Sequence, residues 1–66
     1  MNLQKVAGGC EGGDCPTVYL TDRGTAVFQG NLVPPGVVSL GEGEQAVELP
    51  IEVVRDALLT LHGGAA

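Results

Sequence analysis

Two cysteines carry the most evident chemistry in this sequence. Cys10 and Cys15 are separated by four residues, and Asp14 lies between them. This spacing allows a disulfide, and with Asp14 and the single histidine, His62, it also offers a mixed set of zinc ligands. Such a site would be Cys₂His with a carboxylate in one chain, or Cys₄ between two copies. Because cytoplasmic proteins rarely hold structural disulfides, we predict a reduced pair and no cofactor, with the other two states as alternatives.

His62 offers a second kind of chemistry, as a general base beside a thiol nucleophile. No Asn or Asp is evidently placed to orient the imidazole, and a chain of 66 residues has little room for a substrate pocket. We therefore predict that the protein is not an enzyme and that His62 lies at the surface, at the end of a helix.

The C-terminal segment 61–64 reads Leu-His-Gly-Gly. It resembles the di-glycine tail of ubiquitin-like and sulfur-carrier proteins, whose terminal carboxylate is activated. A function of this kind would require removal of Ala65 and Ala66, and a helix placed between two hairpins as in the β-grasp fold. It is kept as an alternative.

The composition excludes several classes of function. The chain has 66 residues and a mass of 6.7 kDa, which is one small domain at most. Eight acidic residues against three basic ones give a formal charge of -5, which leaves no basic patch for direct binding of nucleic acid. No apolar run approaches the roughly 20 residues that span a bilayer, so we expect no membrane partner. For a monomer of this mass, size scaling predicts a folded surface of about 3,900 Å².

The first fifteen residues favour a flexible segment over a regular element. Four glycines stand within 8–14, and residues 6–9 do not form the apolar core of a secretory signal. We therefore predict a flexible Gly-rich segment over 1–15, a single domain over 16–63, a frayed tail over 64–66 and a cytoplasmic location.

Two hairpins are predicted in the middle of the chain. Residues 16–20 and 25–29 are rich in β-branched and aromatic side chains, and the segment 21–24 between them is typical of a type I turn followed by a glycine bulge. Residues 37–40 and the alternating segment 45–49 flank an acidic turn, so they form the second predicted hairpin.

The C-terminal segment changes to a helical period over 51–62. Pro50 suits a helix start, and Gly63 is placed to end the helix with a left-handed cap. Apolar residues recur along one helix face, which we call the helix stripe: Ile51, Val54, Leu58 and Leu61. Seven of these twelve residues are Ile, Val, Leu or Ala, which indicates a second contact surface. The predicted fold class is α+β, a small antiparallel sheet of three to four short strands with one C-terminal helix packed on it.

Three segments of the chain resemble those of a group of short actinobacterial proteins. They are GGDCPTVY at 12–19, TDRGTAVFQG at 21–30 and AVELPIEVV at 46–54. The chain is more distantly similar to the BldB-like developmental regulators, which share a Gly-Gly-Asn-Cys-type opening, short strands and a closing helix. The resemblance extends over roughly residues 8–61, and it implies a non-enzymatic, self-associating partner of a helix-turn-helix regulator.

Together these observations predict a protein-interaction module, a homodimer that modulates a DNA-binding transcription regulator. The helix stripe and three strand residues are the candidates for the core or for the surface that meets the dimer partner or the regulator: Tyr19, Phe28, Val37, Ile51, Val54, Leu58 and Leu61. The acidic residues over 42–52 would face a basic partner. The alternatives are a small zinc-binding domain that uses Cys10 and Cys15, and a carrier processed to a C-terminal Gly-Gly.

Overall fold

A computed structural model describes residues 1–64 and confirms the predicted α+β class. In chain order the elements are strands β1 (Leu3–Gly8), β2 (Thr17–Thr21), β3 (Ala26–Gln29), β4 (Asn31–Leu32) and β5 (Val47–Glu48), helix α1 (Ile51–Leu59) and a π-helical turn (Thr60–Gly64). Strands β1, β2 and β3 form one antiparallel sheet in that order, and β4 pairs antiparallel with β5. The tail predicted over 64–66 falls on the last residue of the π-helical turn and on two alanines outside the described residues.

The hairpin of β2 and β3 forms where the sequence predicts it. Across its turn the backbone N–H of Thr21 donates to the carbonyl of Thr25 at 2.9 Å, and Gly24 has the left-handed φ of 78°. The Thr21 hydroxyl also accepts a hydrogen bond from the Thr25 N–H at 3.2 Å. These bonds satisfy polar groups at the chain reversal, and the resulting register places Val18 opposite Phe28.

Strand β1 corrects the prediction that residues 1–15 are flexible. It pairs antiparallel with β2, so that Ala7 lies opposite Val18. The register shifts between Lys5 and Ala7, and Val6 at this bulge packs against the core. Because the bulge interrupts the alternation of side chains, a pattern of period 2 does not reveal the strand.

The second predicted hairpin does not form. Residues 37 and 38 form a bend and residues 39 and 40 belong to no regular element. Strand β5 pairs with β4 instead, with Leu32 opposite Val47. The backbone N–H of Val37 donates to the carbonyl of Pro34 at 3.4 Å, so the Pro-Pro-Gly turn reverses the chain just before this segment. Segment 37–40 therefore does not run alongside β5, and β5 pairs with residues that precede the turn.

Helix α1 starts where the sequence predicts, and helical structure continues through the π-helical turn, but its end differs from the predicted one. Pro50 precedes it with a φ of -57°, which suits a helix start. Gly63 has no left-handed φ and lies inside the π-helical turn, so the predicted glycine cap is wrong. The Thr60 hydroxyl donates to the carbonyl oxygens of Asp56 and Val6, at 3.0 and 3.1 Å. This shared bond fastens the end of the helix to β1 in place of the cap.

The core lies between α1 and strands β1 and β2. The buried apolar residues of the described chain are Ala7, Val18 and Ala57, and the residues packed against them are Val6, Leu49 and Val53. Because α1 lies over β1 and β2, Phe28 on β3 stays 46% exposed although it shares a sheet face with Val18. The helix therefore leaves part of that face uncovered.

Candidate functional site

The loop between β1 and β2 contains a Cys10–Cys15 disulfide, which corrects the prediction of a reduced pair. The Cα atoms of the two cysteines are 5.7 Å apart. Their approach follows from the strand pairing: the N–H of Gly9 donates to the carbonyl of Pro16 at 2.9 Å and extends the ladder by one step. The next residues on either side are the two cysteines, so the hairpin itself brings their sulfur atoms together.

Gln29 holds this loop from the neighbouring strand β3. Its Nε2 donates to the carbonyl oxygens of Gly13 and Cys15, at 3.1 and 2.9 Å, and its Oε1 accepts from the Tyr19 hydroxyl at 3.4 Å. The Thr17 hydroxyl also donates to the carbonyl of Cys15, at 2.7 Å. Tyr19, predicted as an interface residue, is therefore half-buried in the network that positions the loop.

The sequence interpretation missed Gln29 and Thr17. Both belong to strands that were predicted, and the register pairs them directly across β2 and β3. The sequence did contain a signal for these two residues. They are polar residues that lie opposite each other at the end of the predicted hairpin, close to the two cysteines. Thr17 is 2% exposed, and its bond to Cys15 satisfies its buried hydroxyl.

A carboxylate lies beside the disulfide. The Oδ1 atom of Asp14 is 3.9 Å from the Sγ atom of Cys10, and the ligand atoms of Cys10, Asp14 and Cys15 all lie within 4.8 Å of one another. This is the group of potential metal ligands found over residues 1–64, and His62 is not part of it. The alternative Cys₂His arrangement with a carboxylate is therefore not formed within one chain over the described residues.

The helix stripe faces away from the core. The side of α1 and its π-helical turn that meets the sheet carries Val53, Ala57 and Thr60. Of the predicted stripe, Val54 is half-buried, whereas Ile51, Leu58 and Leu61 are 62%, 51% and 41% exposed. The stripe is therefore an apolar surface on the outside of the chain.

A second apolar surface lies in the segment between β4 and β5. Val37 is exposed there, and a cavity of about 300 Å³ is lined by Leu32, Val33, Pro34, Pro35, Leu40, Gln45 and Ala46. The acidic turn that follows is closed by the Glu44 carboxylate, which accepts from the N–H of Gly41 at 2.7 Å. Apolar and acidic surfaces thus lie close together along this segment.

The total surface exceeds the size-scaling prediction for a compact monomer. The accessible surface is 5058 Å², which is about 1,100 Å² more than the roughly 3,900 Å² predicted. The radius of gyration is 12.8 Å, against about 11 Å for a compact chain of this length. The chain by itself is extended and incompletely covered.

The chain matches no protein-family model, no curated protein and no solved structure. The resemblance to the BldB-like group stays a prediction. The helix comes last in the described chain, which is not the β-grasp order that a ubiquitin-like carrier would have. Over residues 1–64, no helix has the length and apolar character needed to cross a bilayer.

Proposed function

We propose that this protein is a non-enzymatic protein-interaction module that acts as a homodimer through the helix stripe and binds a basic DNA-binding regulator in the cytoplasm. The observation that carries the dimer is the uncovered surface of the single chain. The excess of about 1,100 Å² is larger than the roughly 800 Å² that each partner buries in an interface of standard size.

Few apolar residues of this chain are buried. Within the described residues, three apolar residues are buried, whereas eleven large apolar residues are exposed. Exposed apolar side chains that lie together on one face, as those of the helix stripe do, are typical of a site that binds another protein. A second copy of this chain is the partner that covers such a surface with no further component.

The helix stripe is the part of this surface best suited to a symmetric dimer. Its residues recur at helical spacing over three turns, so two copies of the same face pack against each other across a two-fold axis. Leu58 lies at the middle of the exposed stripe, between Ile51 and Leu61. Contact at this position removes apolar surface from water on both chains at once.

The acidic surface supports a basic partner for the dimer. Glu42, Glu44, Glu48 and Glu52 are all exposed, and the chain has a formal charge of -5. Charge of one sign on a surface speeds association with a surface of opposite sign, and salt weakens it. A helix-turn-helix regulator, whose DNA-binding face is basic, is the class of partner we propose.

The dimer is tested by sedimentation equilibrium on Leu58→Glu, with Leu59→Glu as the matched control. Leu59 is also exposed, at 63%, but lies outside the stripe. Glu at position 58 places two like charges across the two-fold axis, and we expect dimerisation weaker by roughly 30-fold or more, the change that a hot spot of about 2 kcal/mol makes. Leu59→Glu should dimerise like the wild type.

Two results would contradict the proposed dimer. A wild-type chain that stays monomeric at micromolar concentration would contradict the dimer itself. If Leu58→Glu and Leu59→Glu weaken dimerisation equally, the helix stripe is not the dimer surface. Binding of the basic partner is measured separately, by titrating the dimer with a helix-turn-helix protein at low and high salt, and affinity independent of salt would contradict the charge-based part.

A further inference from the structure

We propose that the loop over 10–15 is a redox-gated zinc site, in which the thiolates of Cys10 and Cys15 and the carboxylate of Asp14 bind one Zn²⁺ after the disulfide is reduced. The fourth position is open to water or to an external ligand. This site is independent of the helix stripe and of the proposed dimer.

The distances already approach those of a tetrahedral zinc site. With Zn–S near 2.3 Å and Zn–O near 2.0 Å, a tetrahedral centre separates sulfur from oxygen by about 3.5 Å and the two sulfur atoms by about 3.8 Å. The Cys10 Sγ and Asp14 Oδ1 atoms are 3.9 Å apart. The sulfur–sulfur separation has to grow, and loss of the covalent bond permits this by side-chain rotation. The Asp14 carboxylate, whose ligand atom lies within 4.8 Å of both sulfur atoms, has to move slightly closer to them.

The loop is held in place by bonds that do not involve the disulfide. Gln29 donates to the carbonyls of Gly13 and Cys15, Thr17 donates to that of Cys15, and the Gly9 N–H donates to Pro16. These contacts retain the end of the loop that carries Asp14 and Cys15 when the sulfur atoms separate. Gln29 is thus a positioning residue for the site, since it contacts the loop backbone rather than a ligand atom.

The site is accessible to both the reductant and the metal. Cys10 and Asp14 are exposed, and Cys15 is half-buried. Gly13 has a φ of 78° with no other atom within 4 Å of its Cβ position, so the backbone at this point faces open space. The site therefore forms without the opening of any packed element.

The chemistry balances with a thiol as the reductant. Two equivalents of a small-molecule thiol, or one dithiol oxidoreductase, supply two electrons and two protons to the Cys10–Cys15 bond and leave as a disulfide. Zn²⁺ then displaces the two thiol protons and binds two thiolates and one carboxylate. In the oxidised chain no thiolate exists, so the redox state of the loop decides whether the metal binds.

Thiolate ligands select the metal. Two sulfur donors favour Zn²⁺ over Mg²⁺ and Ca²⁺, which prefer oxygen. Three protein ligands leave a coordination position free, in contrast to the four ligands of a closed structural site. The site would therefore accept a fourth ligand from solvent or from a bound molecule.

The test compares oxidised protein with protein reduced by a phosphine, freed of reductant and kept without oxygen. Zn²⁺ affinity is measured by competition with a chromophoric chelator, and Co²⁺ is used as a spectroscopic probe of thiolate and tetrahedral ligation. We expect one metal per reduced chain, none per oxidised chain, and a sulfur-to-cobalt charge-transfer band. Asp14→Asn keeps both cysteines and should weaken Zn²⁺ binding about tenfold or more, since loss of even an outer partner costs this much.

Asp22→Asn is the matched control, because Asp22 is an exposed aspartate in the β2–β3 turn, and it should bind like the wild type. The proposal is overturned if reduced protein binds no more Zn²⁺ than oxidised protein, or if Asp14→Asn binds like the wild type. It is also overturned if one metal binds per two chains, which means ligands from two copies. Leu58→Glu should bind Zn²⁺ normally, so failure of the dimer and failure of the metal site are distinguishable.

Discussion

The three-stranded sheet and the segment between β4 and β5 contain similar apolar residues but hold them differently. Val18 in β2 has a strand on each side and the helix above it, and it is 2% exposed. Val37, between β4 and β5, lies after a turn of two prolines and a glycine and is 66% exposed. The same residue type is core in one place and surface in the other because strand pairing, and not hydrophobicity alone, decides which side chains are covered.

The two regions also differ in how they are fastened. The sheet is joined at the end of β1 and β2 by the disulfide and by the hydrogen bonds of Gln29 and Thr17. The pairing of β4 with β5 covers two residue pairs, extended by the bond from the Val33 N–H to the Ala46 carbonyl at 2.9 Å. The sheet and the helix packed on it therefore hold the core, and the segment between β4 and β5 is held by fewer bonds.

The largest effect is expected from a substitution at the centre of the three-stranded sheet. Val18→Asp buries an unpaired charge, and we expect a loss of about 4 kcal/mol in the free energy of unfolding, enough to unfold a domain of this size. Val37→Asp makes the same change at an exposed position and should alter stability by less than about 0.5 kcal/mol. Urea unfolding followed by circular dichroism measures both. Equal losses would contradict the assignment of the core.

A smaller loss is expected when the disulfide is removed. The loop that it closes runs from Cys10 to Cys15, and chain entropy for a loop of this length gives about 2 kcal/mol. The double replacement Cys10→Ser and Cys15→Ser should lower the free energy of unfolding by this amount. Wild-type protein unfolded in the presence of a phosphine should show the same loss, and no loss in either case would mean that the loop is held by its other bonds alone.

The smallest of these effects concerns Gln29. Gln29→Leu removes two hydrogen bonds to the loop backbone, and we expect a loss of about 1 kcal/mol. Gln4→Leu, at an exposed position on β1, is the control and should change stability little. Hydrogen exchange at Gly13 should accelerate in the first variant only, and an unchanged rate would show that Gln29 does not hold the loop.

The hairpin of β2 and β3 could be predicted because its determinants are local. The turn at 21–24 and the alternating side chains beside it act over a few residues, and the structure forms the hairpin with Gly24 in the expected conformation. Strand β1 could not be predicted in the same way. Its partner is β2, and the bulge between Lys5 and Ala7 removes the alternation that identifies a strand.

The orientation of the helix was only partly predictable. Its start after Pro50 follows from local rules, but apolar residues cover so much of its circumference that several faces could meet the sheet. The structure selects the face of Val53 and Ala57, and the Thr60 hydroxyl bonds to β1. Ala57 is small and permits close approach of the helix to the sheet, and the Thr60 hydroxyl fixes the rotation of the helix by donating a hydrogen bond. A ranking of the helix residues by hydrophobicity would place neither of them first.

The amino-acid sequence by itself determined the class of the fold, the first hairpin, the start of the helix and the acidic charge, since each depends on neighbouring residues or on composition. Only the tertiary structure decided that the N-terminal segment is a strand, that Cys10 and Cys15 form a disulfide beside Asp14, and that the helix stripe lies outside. The physical reason is the same in each case. Pairing between segments distant in the chain sets the register, and the register determines which side chains meet, which are covered and which remain exposed.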